Sequence, residues 1–103
     1  MRKYDPEEDS LSSTVVTVNA FGLWQMILKA KTMEVEAKGR TLRDLIDTLN
    51  AKTFGELERR VLSANRGLDP KFRIFVNGVA RDDLDTAISN GDDVLLYSVI
   101  DGG

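Results

Sequence analysis

The sequence predicts an α+β domain: a mixed sheet of four to five strands packed on one main helix, with a second short helix beside it. Three observations carry this. Apolar and polar residues alternate in two early stretches and again late, the period of half-buried strands. Residues 41–49 place apolar side chains at helical spacing behind a capping threonine. The last apolar run, Val94, Leu95, Leu96, Tyr97, Ser98, Val99 and Ile100, is short, branched and aromatic, and it leads straight into Asp101, Gly102 and Gly103.

Residues 1–13 are polar and mixed in charge, with Arg2, Lys3, Asp5, Glu7, Glu8 and Asp9 around a single Leu11. They have too little to bury to offset the entropy of ordering, so a flexible N-terminal extension is expected ahead of a domain spanning 14–103. Residues 14–21 read as the first strand, with Val16, Val18 and Ala20 on one face and Thr17 and Asn19 on the other. Phe21 and Gly22 break the pattern. A loose helical turn follows, with Leu23, Met26 and Ile27 at helical spacing, and Trp24 in it is expected to pack over one end of the core. Met33, Val35 and Ala37 alternate with Glu34 and Glu36, a second strand antiparallel to the first.

Thr41 opens the main helix as its cap. Asp44 suits the positive end of the dipole, and Leu42, Leu45, Ile46 and Leu49 form the buried face. Thr53, Phe54, Gly55 and Glu56 look like a second box-type start. Phe54, Leu57, Val61 and Leu62 are expected as its apolar stripe, with Gly67 as its stop. Residues 72–76 form a third strand, Asn77-Gly78 is a hairpin turn, and Val79 and Ala80 return as a short fourth strand. Leu84 and Ile88 plug an aspartate-rich loop. Asn90-Gly91 turns the chain into the last strand, which is expected parallel to the first at the centre of the sheet, with the main helix in the crossover.

Composition narrows the chemistry. With no cysteine, disulfides, thiolate catalysis and cysteine metal sites are excluded. With no histidine, the usual general base near neutral pH is missing. The 14 basic residues are dispersed and outnumbered by 17 acidic ones, which argues against a nucleic-acid footprint. No apolar run reaches the length of a membrane span, and the N-terminus lacks the apolar segment of a secretory signal, so a cytoplasmic protein is expected. Five aspartates lie between Asp82 and Asp93, but their spacing does not match a calcium loop, and acidic turns account for them. A self-contained enzyme would have to work with Asp, Glu, Lys, Ser or Tyr alone. A carrier whose reactive atom is its own C-terminal carbon needs no special side chain.

The terminal glycines fit that second possibility. Gly102 and Gly103 offer thin, pliable backbone that can enter a narrow channel. The terminal carboxylate is ionised at neutral pH and can act as a nucleophile. A strand running directly into this tail anchors it at a fixed point of the fold, while the tail itself, with little to bury, is expected to be mobile.

Taken in order, Phe21-Gly22 after the first strand, Thr41-Leu42 opening the helix, Val76-Asn77-Gly78, Gly91-Asp92-Asp93-Val94 and the closing Asp101-Gly102-Gly103 resemble the ubiquitin-like β-grasp sulfur carriers of the MoaD/ThiS family over about residues 14–103. The resemblance implies a β-grasp fold and a carrier or co-substrate rather than an enzyme; at most the chain would be the small, non-catalytic subunit of a synthase such as molybdopterin synthase. It implies that a MoeB/ThiF-like activating enzyme uses MgATP to adenylate the Gly103 carboxylate. A sulfur donor then converts it to a thiocarboxylate. An acceptor synthase, either the molybdopterin synthase large subunit or thiazole synthase, consumes that sulfur. No cofactor or metal is expected on this chain. The run 94–100 looks more like the thiamine thiazole carriers, whereas Phe21-Gly22, the second helix and the length look more like the molybdopterin synthase small subunit. Conjugation to other proteins through Gly103, or non-covalent binding with an incidental tail, are the alternatives.

Docking needs a surface beside the tail. With Val94 and Leu96 facing the core, Leu95, Tyr97 and Val99 face outward, and Phe75 points out between Ile74 and Val76. Phe75, Leu95, Tyr97, Val99, Ile100 and Asp101 are the expected partner-binding residues, with Gly102 and Gly103 as the reactive end.

Overall fold

The computed structural model describes residues 13–64 and 67–98, so the expectations for residues 1–12 and for Val99, Ile100, Asp101, Gly102 and Gly103 lie outside the described residues. The elements run β1 (Thr14–Ala20), α1 (Leu23–Leu28), β2 (Thr32–Ala37), α2 (Leu42–Lys52), α3 (Glu56–Val61), β3 (Phe72–Val76), β4 (Val79–Ala80) and β5 (Asp93–Ser98). They build one five-stranded mixed sheet in the order β2-β1-β5-β3-β4. Strand β5 is central, parallel to β1 and antiparallel to β3. This is the α+β architecture expected from the alternation, with the last strand beside the first.

Strand periodicity decides the core. Val16, Val18 and Ala20 of β1, Val35 and Ala37 of β2, Phe72, Ile74 and Val76 of β3, and Val94 and Leu96 of β5 are all buried on the helix-covered face. Leu42, Leu45, Ile46 and Leu49 of α2 meet them from above, each essentially inaccessible. The start of α2 is fixed twice. Thr41 and Asp44 form a reciprocal capping box, with the Asp44 N–H donating to Thr41 Oγ1 at 3.2 Å and the Thr41 N–H to Asp44 Oδ2 at 3.1 Å. The aspartate-rich loop then supplies acceptors for the next free N–H groups: Leu42 donates to the Thr86 carbonyl at 3.0 Å and Arg43 to that of Leu84 at 2.7 Å. Leu84 and Ile88 plug that loop into the core as expected.

The helical stripes at the two short helices are corrected. In α1 the buried residues are Trp24 and Ile27, while Met26 is exposed. The chain enters α1 through Gly22, whose backbone lies at φ 66, ψ −132. That turn brings Trp24 onto the core, as expected, and leaves Met26 in solvent. Phe54 does not belong to the stripe of α3. It sits at φ 56 with its side chain 92 % exposed, because the chain reverses between α2 and α3 through two left-handed residues, Phe54 and Gly55. Leu57 and Val61 alone carry the buried stripe, and the helix stops at Val61, well before Gly67. The box-like reading of Thr53 survives in part: its Oγ1 accepts from the Leu57 N–H at 3.1 Å.

Candidate docking surface and tail root

The open face of the sheet is built by the residues that alternate with the core. In the β3–β5 register Phe75 stands opposite Leu95, and Arg73 opposite Tyr97. Ala80 of β4 flanks Phe75 on one side, and Asn19 of β1 flanks Leu95 on the other. Phe75 and Leu95 are half-buried by these neighbours, and Tyr97 is 44 % exposed. Three of the six expected partner-binding residues, Phe75, Leu95 and Tyr97, therefore come together on one face of the two central strands. The other three, Val99, Ile100 and Asp101, and the terminal glycines lie outside the described residues.

The C-terminal end of β5 is held by the segment that joins β1 to α1. The Phe21 N–H donates to the Leu96 carbonyl at 2.9 Å. The Leu23 N–H donates to Ser98 Oγ at 2.8 Å, and the Trp24 indole N–H to the Tyr97 carbonyl at 3.0 Å. Trp24 is fully buried and meets Phe72 edge-on, with ring centroids 5.3 Å apart. Three consecutive residues at the root of the tail, 96–98, are thus pinned by side-chain and backbone bonds from residues 21–24.

The aspartates act as turn formers. Asp83 Oδ1 accepts from the Asp85 N–H at 2.9 Å, and Asp92 Oδ2 from the Ser89 N–H at 2.8 Å. Asp92 Oδ1 accepts from Asn77 Nδ2 at 3.0 Å, and Asp85 pairs with Arg43 at 3.4 Å. Among the described residues no group of three or more acidic side chains is placed to hold a metal ion. No described helix is long and apolar enough to cross a membrane.

No family model matches the chain, and no curated protein matches it. Solved structures do. The chain is similar to SAMP1 of Haloferax volcanii, a small archaeal modifier protein, at 26 % identity over 86 % of this chain and 99 % of that one, with a TM-score of 0.73. It is similar to a molybdopterin converting factor subunit 1 of Pyrococcus furiosus, described as putative, at 23 % identity, covering 84 % of this chain and 99 % of that one, TM-score 0.65. The Amycolatopsis orientalis BexX/CysO complex also matches, at 24 % identity over 85 % of this chain and 99 % of the matched one, TM-score 0.67. The chain has the ubiquitin-like β-grasp fold that these neighbours of the MoaD/ThiS type share.

The neighbours are small ubiquitin-like proteins and a converting-factor subunit, not catalytic enzymes, and this chain shares their β-grasp fold. Sequence reasoning missed two features of its surface. Phe21, read as a strand breaker, continues the alternation of β1 by one residue. The Ala20–Leu96 pairing places it beside Tyr97, and it is 48 % exposed. Ser98, whose side chain reads as a neutral strand residue, is only 2 % exposed and serves as an acceptor. The alternation itself carried the first signal, since position 21 keeps the parity of Thr17 and Asn19. No sequence signal marked Ser98.

Proposed function

We propose that this chain is a sulfur carrier whose working atom is the carbonyl carbon of Gly103. A carboxylate is a poor acyl donor, because its leaving group would be oxide. Attack of its oxygen on the α-phosphorus of ATP, with loss of pyrophosphate, gives an acyl adenylate. A sulfur nucleophile then adds to the carbonyl carbon, AMP departs, and a thiocarboxylate remains for an acceptor synthase. MgATP and the catalytic side chains belong to the activating enzyme, and this chain contributes the tail and a place to dock. Gly102 and Gly103 thread the channel, where a Cβ would meet its walls.

The observation that supports this reading best is the juxtaposition at β5. Phe75, Leu95 and Tyr97 form an apolar strip on the open face of the two central strands. The same strand, pinned at Tyr97 and Ser98, leads into residues 99–103. A partner that covers the strip receives the tail in a fixed direction. Phe21 extends the strip toward the tail root. The acceptor, on this proposal, is a synthase of molybdopterin or thiamine thiazole formation. The likeness to a modifier protein supports a second use of the same activated end: attack by a lysine amine of another protein, giving an amide through Gly103.

The test is mass spectrometry of the intact chain after incubation with a MoeB/ThiF-like activating enzyme, MgATP and a sulfur source. Replacement of one oxygen by sulfur is expected, and its loss on deletion of Gly103 with the far-UV spectrum unchanged. An unaltered mass overturns the carrier reading. Higher-mass conjugates that vanish with Gly103 identify the modifier use. Partner binding that survives removal of Gly102 and Gly103 with no acyl transfer identifies a non-covalent module. A synthase co-purified with the chain identifies the acceptor.

A further inference from the structure

Strand β2 is one edge of the sheet, and its pairing with β1 decides which of its backbone groups face outward. The Ala20 N–H donates to the Lys31 carbonyl at 2.7 Å. Antiparallel pairs alternate between bonded and non-bonded, so in the register Val18–Met33 and Val16–Val35 the odd residues of β2 bond β1. Thr32, Glu34 and Glu36 therefore aim N–H and C=O away from the sheet. The next donor in that row, the Lys38 N–H, is taken by Thr48 Oγ1 of α2 at 3.0 Å. Among the described residues, no backbone group pairs with the outward groups of Glu34 and Glu36. Alongside, between the end of β2 and the flank of α2, runs a groove of about 370 Å³ lined by Lys38, Asp44, Asp47, Thr48, Ala51 and Lys52.

We propose that this edge and groove receive one extended, basic segment of a partner protein, which joins the sheet as a further strand against β2. Main-chain bonds to residues 34 and 36 hold such a segment, and its alternate side chains are read on the two faces.

Charge selects the occupant. The β2 side chains on the open face at this edge are Thr32, Glu34 and Glu36, all exposed, and the two glutamates carry its charge. In an antiparallel pairing of two copies of β2 that bonds these residues, carboxylate stands opposite carboxylate, which is unfavourable and blunts self-association. A segment with Lys or Arg at two positions, two apart, places cations opposite both. Lys31 and Lys38 bracket the acidic pair, so the fitting segment is basic at those two positions only. The residue between them turns to the other face, where Ala51 and the aliphatic stems of Lys38 and Lys52 suit a branched apolar side chain. The chain's own N-terminal sequence has the wrong sign, since Asp5, Glu7, Glu8 and Asp9 outnumber Arg2 and Lys3.

The test titrates the ¹⁵N-labelled full chain with a capped peptide, Ser-Val-Lys-Val-Lys-Val-Ser, followed by NMR shifts and amide exchange. Shifts are expected over residues 32–38 and 47–52, with slowed exchange of the Glu34 and Glu36 amides and no change at Phe75 or Leu95. Backbone N-methylation of the peptide, or glutamates in place of its lysines, should abolish them. The Glu34→Lys, Glu36→Lys variant, altered only at exposed positions, should bind the lysine peptide at least about tenfold more weakly and gain binding of the glutamate peptide. Absent shifts, shifts centred on Phe75 and Leu95, binding indifferent to N-methylation, or Glu34 and Glu36 amides already protected in the free chain would each overturn the proposal. So would a dimer joined through β2.

Discussion

Replacing Trp24 by Phe tests the clamp at the tail root. Trp24 is the only tryptophan, and it is fully buried. Its ring packs edge-on against Phe72 at an interplanar angle of 76°, and its Nε1–H donates to the Tyr97 carbonyl at 3.0 Å. Phe keeps an aromatic ring against Phe72 but removes the donor and part of the ring volume. The Tyr97 carbonyl keeps the Arg73 N–H as its ladder donor, so loss of the indole bond costs about 0.5–1.5 kcal/mol. Complete truncation of a buried Trp costs about 3–5 kcal/mol, so the partial cavity left by Phe accounts for a fraction of that. A combined loss of about 2–3 kcal/mol is expected. At about 4–8 °C per kcal/mol for a domain of this size, Tm should fall by roughly 10–20 °C. Urea unfolding followed by far-UV circular dichroism gives the energy, because the variant has no tryptophan fluorescence. Amide exchange gives the location: Tyr97 and Ser98 should quicken more than Val94, which sits mid-sheet. A loss within about 0.5 kcal/mol, the range of an ordinary surface change, would refute the assignment of Trp24 as a clamp.

Three further substitutions separate causes elsewhere. Gly39 lies at φ 142 with the Asp44 carboxyl group where a Cβ would be, so Gly39→Ala should disturb the capping box and cost at least about 2 kcal/mol in urea unfolding. Gly91→Ala, at φ 88 in open space, should cost only about 1 kcal/mol, and equal losses would remove Asp44 from the explanation. Phe54→Asn should stabilise by about 0.5–1 kcal/mol, because Asn tolerates the left-handed conformation and the 92 % exposed ring gives up no packing; a destabilised variant would show that the ring is held by contacts. If the proposed carrier role holds, Leu95→Arg should raise the KM of a MoeB/ThiF-like activating enzyme for this chain at least about tenfold, as removal of a central interface anchor does, with the far-UV spectrum unchanged, and an unchanged KM would move docking off this face.

The sheet was legible wherever one face is buried and the other open. In β1, β2 and β3 the period of two placed Val18, Val35 and Ile74 inside, since a shift of one residue would have turned every side chain over; the continuous apolar run of β5 carries no such period, and the assumed parity is the one the sheet adopts, with Leu96 inside. Helix α2 was legible because its stripe and its cap agree. The short helices were not. A six-residue helix spans under two turns, so its periodicity cannot distinguish Met26 from Trp24, and the entry conformation at Gly22 decides which one turns inward. Phe54 misled for the same reason. It is apolar and correctly spaced, but its left-handed backbone, set by the reversal between α2 and α3, points it into solvent. Of the docking surface, Phe75, Leu95 and Tyr97 followed from strand parity. Their juxtaposition needed the β3–β5 register, and the clamp needed contacts spanning more than 70 residues, which no local pattern announces.

Strand β5 is the last described element yet the middle one in the sheet, bonded to β1 on one side and β3 on the other. Neither neighbour has its full hydrogen-bond ladder until β5 is in place. Val94 and Leu96, each fully buried, close the core at the same moment. A chain lacking β5 leaves the pairing edges of β1 and β3 open and the apolar face of α2 partly uncovered, which is an aggregation-prone arrangement rather than a smaller version of the domain. Joining β5 to β1 also closes a loop of more than 70 residues, the kind of non-local pairing that slows folding. The strip of Phe75 and Leu95 exists only after that step, because its two halves come from β3 and β5. Recognition through this strip is therefore recognition of the completed fold, and a partner that requires it meets the root of the tail only on chains whose sheet has closed.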